Sequence, residues 1–163
     1  MDDTTVKRDD LDKEAEHLLE EARMVLPGIQ ALFGFQLIAI FNQRFATDLS
    51  PMEQQLHLAA LILAALAVAL VMTPAAYHRQ AEPGQVSQRF VKLATHLITL
   101  GMLPLMLGLV LDTYVVSQLV LHDSAASSVI AGGILMILAC LWFVWPRWRK
   151  GTCSAGAGLN KRP

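Results

Sequence analysis

Leu58-Ala59-Ala60-Leu61-Ile62-Leu63-Ala64-Ala65-Leu66-Ala67-Val68-Ala69-Leu70-Val71-Met72 is the stretch that decides the fold, because it carries no polar side chain at all. The apolar run around it extends from about Leu56 to Thr73. Roughly 17–25 such residues suffice to cross the hydrocarbon core of a bilayer as a helix. Ala60/Ala64 and Ala65/Ala69 are pairs of small residues four apart, a spacing that lets helix backbones approach closely. Pro74 is expected to stop or bend this helix, leaving Tyr77, His78 and Arg79 at the headgroup level.

Three further apolar runs flank it, over about 24–41, 90–111 and 128–145. The first contains Gln30 and Gln36, with Pro27-Gly28 in its opening turn, where proline costs little. The third run of the chain contains Pro104 between Gly101 and Gly108, which predicts a bend near mid-membrane. Beyond Asp112 it resumes to Leu121, read as a helical extension at the outer surface. The last run ends in Trp142, Trp145 and Trp148 beside Arg147, Arg149 and Lys150, an aromatic belt against a basic stop. Hydrophobic residues make up 54% of the chain and charged ones 17%, against about 25% charged in a typical soluble domain. The predicted fold is therefore all-α: four transmembrane helices in a domain over 24–145.

Residues 1–23 form an acidic segment in which Leu11, Ala15, Leu18, Leu19 and Ala22 share one face at helical spacing. They predict an amphipathic helix outside the bilayer. Its acidic polar face is repelled by anionic headgroups, so packing on the protein itself or on a partner protein suits it better than a lipid anchor. No cleavable leader is expected, since an apolar core is missing before Met24. Residues 146–163 are basic, small and polar, and a disordered tail is expected there.

Lysine and arginine fix the expected orientation. Four precede the first run (Lys7, Arg8, Lys13, Arg23), Arg44 alone lies in the first connection, and Arg79, Arg89 and Lys92 lie in the second. The third connection has none, and Arg147, Arg149, Lys150, Lys161 and Arg162 follow the last run. This alternation predicts both ends on the cytoplasmic side. Cys140 and Cys153 read as two unrelated thiols.

Polar residues inside membrane spans are the informative ones. One expected group lies toward the inner leaflet: Gln30 and Gln36, with Lys92, Thr95, His96 and Thr99 in one stripe. Its functional reading is a proton or ion site with His96 as the titrating group. Its plainer reading is hydrogen-bond glue between helices. A second group, Arg44, His57 and Asp112, gathers the outer ends of three spans, as a mouth for an ion or small ligand or as an interfacial ion pair locking the helices. Met102, Met106 and Met136 read as packing. No metal site, cofactor motif, phosphate-binding loop or mid-membrane carboxylate is visible, so neither an enzyme nor a nucleic-acid binder is expected.

Glu20-Glu21-Ala22-Arg23-Met24-Val25-Leu26-Pro27-Gly28, followed by Gln30-Ala31-Leu32-Phe33-Gly34-Phe35-Gln36, resembles a family of small bacterial membrane proteins catalogued as domain of unknown function 6328. Pro74 to Arg79, and Leu109 to Tyr114 with Asp112, extend the resemblance over roughly residues 14–145. It implies a multi-pass protein of the bacterial inner membrane without implying an activity. The expectation is a non-enzymatic structural or accessory protein, with a homo-oligomer plausible through its small-residue faces and a protein partner at the acidic helix. The alternative is a small oligomeric channel or transporter subunit for protons or small ions.

Overall fold

The computed structural model describes the backbone of residues 3–81 and 86–148, and the side chains of these except 3–9 and Arg44. It is helical throughout. Helix α1 spans Asp3–Ile40, the short α2 Gln43–Asp48, α3 Pro51–Ala81, α4 Gln88–Leu121 and α5 Ser124–Ala139. α5 continues through one wide turn, Cys140–Val144, in which the Trp145 N–H reaches back five residues to the Cys140 carbonyl. That helix ends in the described residues at Trp148. Four helices are long and apolar enough to cross a membrane.

All four outlast the crossings expected from hydropathy. The 34 residues of α4 reach about 51 Å at 1.5 Å per residue, well beyond a hydrocarbon core of about 30 Å. The amphipathic segment is not a separate helix: it runs without a break into the first crossing, through Pro27. The reason is a single buried stripe. Ala15, Ala22, Ile29 and Gln36 recur every seven residues and are each under a tenth exposed. Ala15 packs on Phe90, Val91 and Ala94 of α4, while Ala22 and Ile29 pack on Val71 of α3.

Pro74 does not end α3, which runs on to Ala81. Proline removes one backbone donor, a loss that membrane helices tolerate when neighbouring groups compensate. Here Pro74 is fully buried; the Thr73 hydroxyl donates to the Ala69 carbonyl at 2.7 Å, one residue before the Leu70 carbonyl that proline deprives of its donor. The turns beyond it are held from outside, by Tyr77 stacked on Phe90 at 6.2 Å and His78 at 5.2 Å from the same ring. α4 likewise continues through Pro104 to Leu121, as expected of its extension. The first residues of the predicted tail, Pro146 to Trp148, are helical, and 149–163 lie outside the described residues.

The centre of the molecule is the antiparallel pair α3–α4. The buried residues of α3 are His57, Ala60, Ala64, Ala67, Val71 and Pro74, alternately three and four apart. On α4, Ala94, Gly101, Gly108 and Val115 repeat every seven. Such 3.5-residue seams belong to a left-handed crossing of two helices. Contact is close because the seam is small: a Cβ added to Gly108 would lie 3.2 Å from the Ala60 carbonyl oxygen, and one on Gly101 3.0 Å from Val71 Cγ2. In lipid, where apolar burial drives little association, this packing is what holds helices together. α1 lies against both α3 and α4, and α5 packs chiefly on α4.

Two short connections close the other end. Ser50 and Glu53 form a reciprocal cap on α3: the Ser50 amide donates to Glu53 Oε2 at 2.6 Å and the Glu53 amide to Ser50 Oγ at 3.3 Å. Between α4 and α5 stand two residues. His122 takes a left-handed backbone (φ 52°) and donates its amide to the Gln118 carbonyl. Asp123 caps α5 through the amides of Ala125 and Ala126.

Candidate functional site

The last layer of the seam is polar. Gln36 of α1 occupies the position one repeat beyond Ile29, His57 stands one turn before Ala60 on α3, and Asp112 one turn beyond Gly108 on α4. The His57 ring bonds on both sides. Nδ1 lies 3.2 Å from Asp112 Oδ1, and Nε2 lies 3.0 Å from the backbone carbonyl of Gln36. The Gln36 side-chain amide donates to the other carboxylate oxygen, Asp112 Oδ2. Three helices are thus tied by a closed ring of hydrogen bonds. Gln36 and His57 are buried and Asp112 is partly buried: Gln36 is 4% exposed, and the side chains of His57 and Asp112 are 9% and 17% exposed. Gln36 Oε1 is also buried and has no donor.

Phe45 of α2 covers the ring edge-on, with centroids 5.4 Å apart. A cavity of about 640 Å³ opens beside it. Its walls include Asn42, Phe45, His57, Val115 and Leu119, with Asp48 and His122 also bordering it. The site therefore has a buried polar floor and a short helix above it, at the end of the molecule that carries the α1–α3 and α4–α5 connections.

The residues singled out in the sequence are regrouped. His57 and Asp112 are brought together as the outer cluster requires; the side chain of Arg44 lies outside the described residues. Gln36, expected in the inner group, belongs instead to this layer. The inner group does not assemble: Gln30, His96 and Thr99 are all exposed, and no hydrogen bond joins Gln30 to His96 among the described residues. Thr95 and Thr99 donate to carbonyls of their own helix, Val91 and Thr95. Depth along the chain was a poor guide because a side chain's partner is decided by its azimuth. Gln36 lies on the seam and Gln30 off it, and the seven-residue spacing from Ala15 carries that signal. Phe45 was missed, since nothing in its local sequence marks it. Among the described residues no three His, Cys, Asp or Glu side chains are grouped to hold a metal ion.

Residues 3–146 match a family described as "Family of unknown function (DUF6328)". No curated protein and no solved structure matches the chain.

Proposed function

Since the chain belongs to the family of unknown function DUF6328, no activity comes to it by kinship, and we propose from its geometry a non-enzymatic, multi-pass membrane protein of structural or accessory role, whose Gln36–His57–Asp112 layer sets the register of α1, α3 and α4. The observation that carries this reading is the closure of the layer: each bond runs between helices, and each lies at a seam position. A polar residue placed in an otherwise apolar seam fixes alignment at some cost in stability, the best-attested use of such groups.

The rest of the seam argues against conduction through one chain. Ala60, Ala64 and Ala67 are fully buried, and the backbones of α3 and α4 meet there with no room for a file of water. A small channel or transporter subunit would need its route between copies. The proposal also includes a place, the bacterial inner membrane, with both ends cytoplasmic and α2 outside, supported by the twelve-to-one division of Lys and Arg among the connections. A second copy would find the open face of α5, where neither Gly132 nor Gly133 has a neighbour within 4 Å of an added Cβ. For a protein partner the surface is the acidic side of α1. Glu14, Glu16, Glu20 and Glu21 are exposed there, while the apolar side is covered by α4. Capture of a partner should then depend on residues 10–21.

The deciding measurement is flux. Purified protein in liposomes should pass no more protons or cations than empty vesicles from about pH 5 to about pH 8. Flux above that background, abolished by His57→Leu, would overturn the reading.

A further inference from the structure

We propose that His57 and Asp112 together hold one exchangeable proton, and that α3 keeps its hydrogen bonds to both α1 and α4 only while that proton is bound. The inference rests on the locking role above and goes further, because it makes the lock a pH-dependent one.

The argument is a count of donors. A backbone carbonyl can only accept, so the contact of His57 Nε2 with the Gln36 carbonyl at 3.0 Å requires a proton on Nε2. Nδ1 then faces Asp112 Oδ1 at 3.2 Å, and a proton must stand between them as well. It sits on Nδ1, giving imidazolium and carboxylate, or on Oδ1, giving neutral imidazole and carboxylic acid. Both forms hold the same number of protons and have zero net charge. In both, Asp112 Oδ2 is free to accept from the Gln36 amide, as it does. Removing the proton leaves one on the ring for two acceptors. A lone pair is then set against either the carboxylate or the carbonyl, so α3 loses its bond to α4 or to α1.

Besides the ring itself, the polar groups bordering the cavity among the described residues include Asn42, whose side-chain amide can donate. α1 brings only Gln36, whose amide is already used, and α2 brings Phe45 and Asp48. His122 borders the cavity from the far end of α4, and Glu53 stands one turn before His57 on its own helix. The Arg44 side chain lies outside the described residues. The cavity under α2, with His57 in its wall, is the way in for a proton.

Asp112→Asn separates the proton from the hydrogen bonds. Asparagine has one donor and one acceptor on the two positions: its amide nitrogen can donate to an unprotonated Nδ1, and its oxygen can accept from Gln36. All three ties survive without the shared proton, because no carboxylate is left to hold it. Thermal unfolding of the full-length protein in lipid nanodiscs should show the wild-type Tm falling as pH rises from about 5 to about 9, by roughly 3 °C or more. In Asp112→Asn that fall should be absent or much reduced, with Tm at low pH close to wild type. An equal pH slope in the two proteins overturns the proposal, as does a wild-type Tm independent of pH. Should the variant not fold, 15N spectra of wild-type His57 decide: Nε2 must carry a proton wherever the lock is closed, and an unprotonated Nε2 at low pH overturns it. Failure of the lock itself has a different signature, since Asp112→Leu would then leave Tm unchanged at every pH.

Discussion

At the scale of single residues, the polar layer invites the question of what it contributes. Hydrogen bonds between helices in a membrane average about 0.6 kcal/mol, because the separated helices find other partners. Leaving a buried polar group without its partner costs more, about 1–3 kcal/mol. The second effect is the larger, so the damage from a single substitution should come mainly from the partner left behind. His57→Leu strands the Asp112 carboxylate, and Asp112→Leu strands Nδ1 of His57. Each should lower stability by about 1–3 kcal/mol, and the double variant should lose clearly less than the sum of the two. Reversible unfolding in mixed micelles measures the cycle, and additive losses would mean that the two side chains do not act as a pair. Part of this site was legible beforehand. A histidine and an aspartate at like ends of adjacent spans are costly in lipid and so seek each other. Gln36 was not legible by depth alone, because its amide sits one repeat past Ile29 and follows the stripe of α1 to the pair.

At the scale of elements, the α3–α4 seam makes glycine positions unequal. Replacing glycine by alanine inside a helix gains about 0.8–1 kcal/mol of intrinsic preference. Overpacking a tight contact costs about 1–3 kcal/mol. At Gly101 the nearest atom is a side-chain methyl, Val71 Cγ2, which can yield by a few tenths of an ångström more readily than backbone can. At Gly108 it is the Ala60 carbonyl oxygen, which belongs to the backbone. Gly108→Ala should therefore destabilise the protein, Gly101→Ala should be nearly neutral, and Gly133→Ala, with nothing within 4 Å, should be neutral or slightly stabilising. Thermal unfolding ranks the three, and a Gly108→Ala protein as stable as wild type would show that the helices are not in backbone contact. Of the small residues conspicuous in the sequence, Ala60 and Ala64 are used in this seam, while Ala65 and Ala69 are exposed. Composition marked the helix, but only the three–four alternation from His57 to Pro74 chooses among its alanines. Helix ends were misjudged for a related reason. Hydropathy falls where the membrane stops, but a helix goes on as long as its turns find contacts, as Tyr77 and His78 do on Phe90.

At the scale of the whole molecule, the four long helices alternate in direction, so the chain has two distinct ends. One carries α2, His122 and Asp123; the other carries the start of α1, the end of α3 and the start of α4. The antiparallel contacts set this without any membrane: Asp112 meets His57 at one end, and Phe90 meets Tyr77 at the other. Which end faces the cytoplasm is a matter of charge. Arg79, Arg89 and Lys92 crowd one end, while Arg44 is alone at the other, and translocation disfavours lysine and arginine. Single cysteines introduced at Asp48 and Asp123, in a chain with Cys140 and Cys153 replaced by alanine, should react with a membrane-impermeant maleimide in intact cells. A cysteine at Gln80 should react only after the membrane is opened. The three sites report separately on fold and orientation. Reversed labelling at all three would turn the molecule over, putting the cavity beside His57 on the cytoplasmic side while leaving every helix contact intact. Labelling of Gln80 and Asp123 from the same side would contradict α4 as a crossing, and the seam between α3 and α4 could not then lie within the membrane.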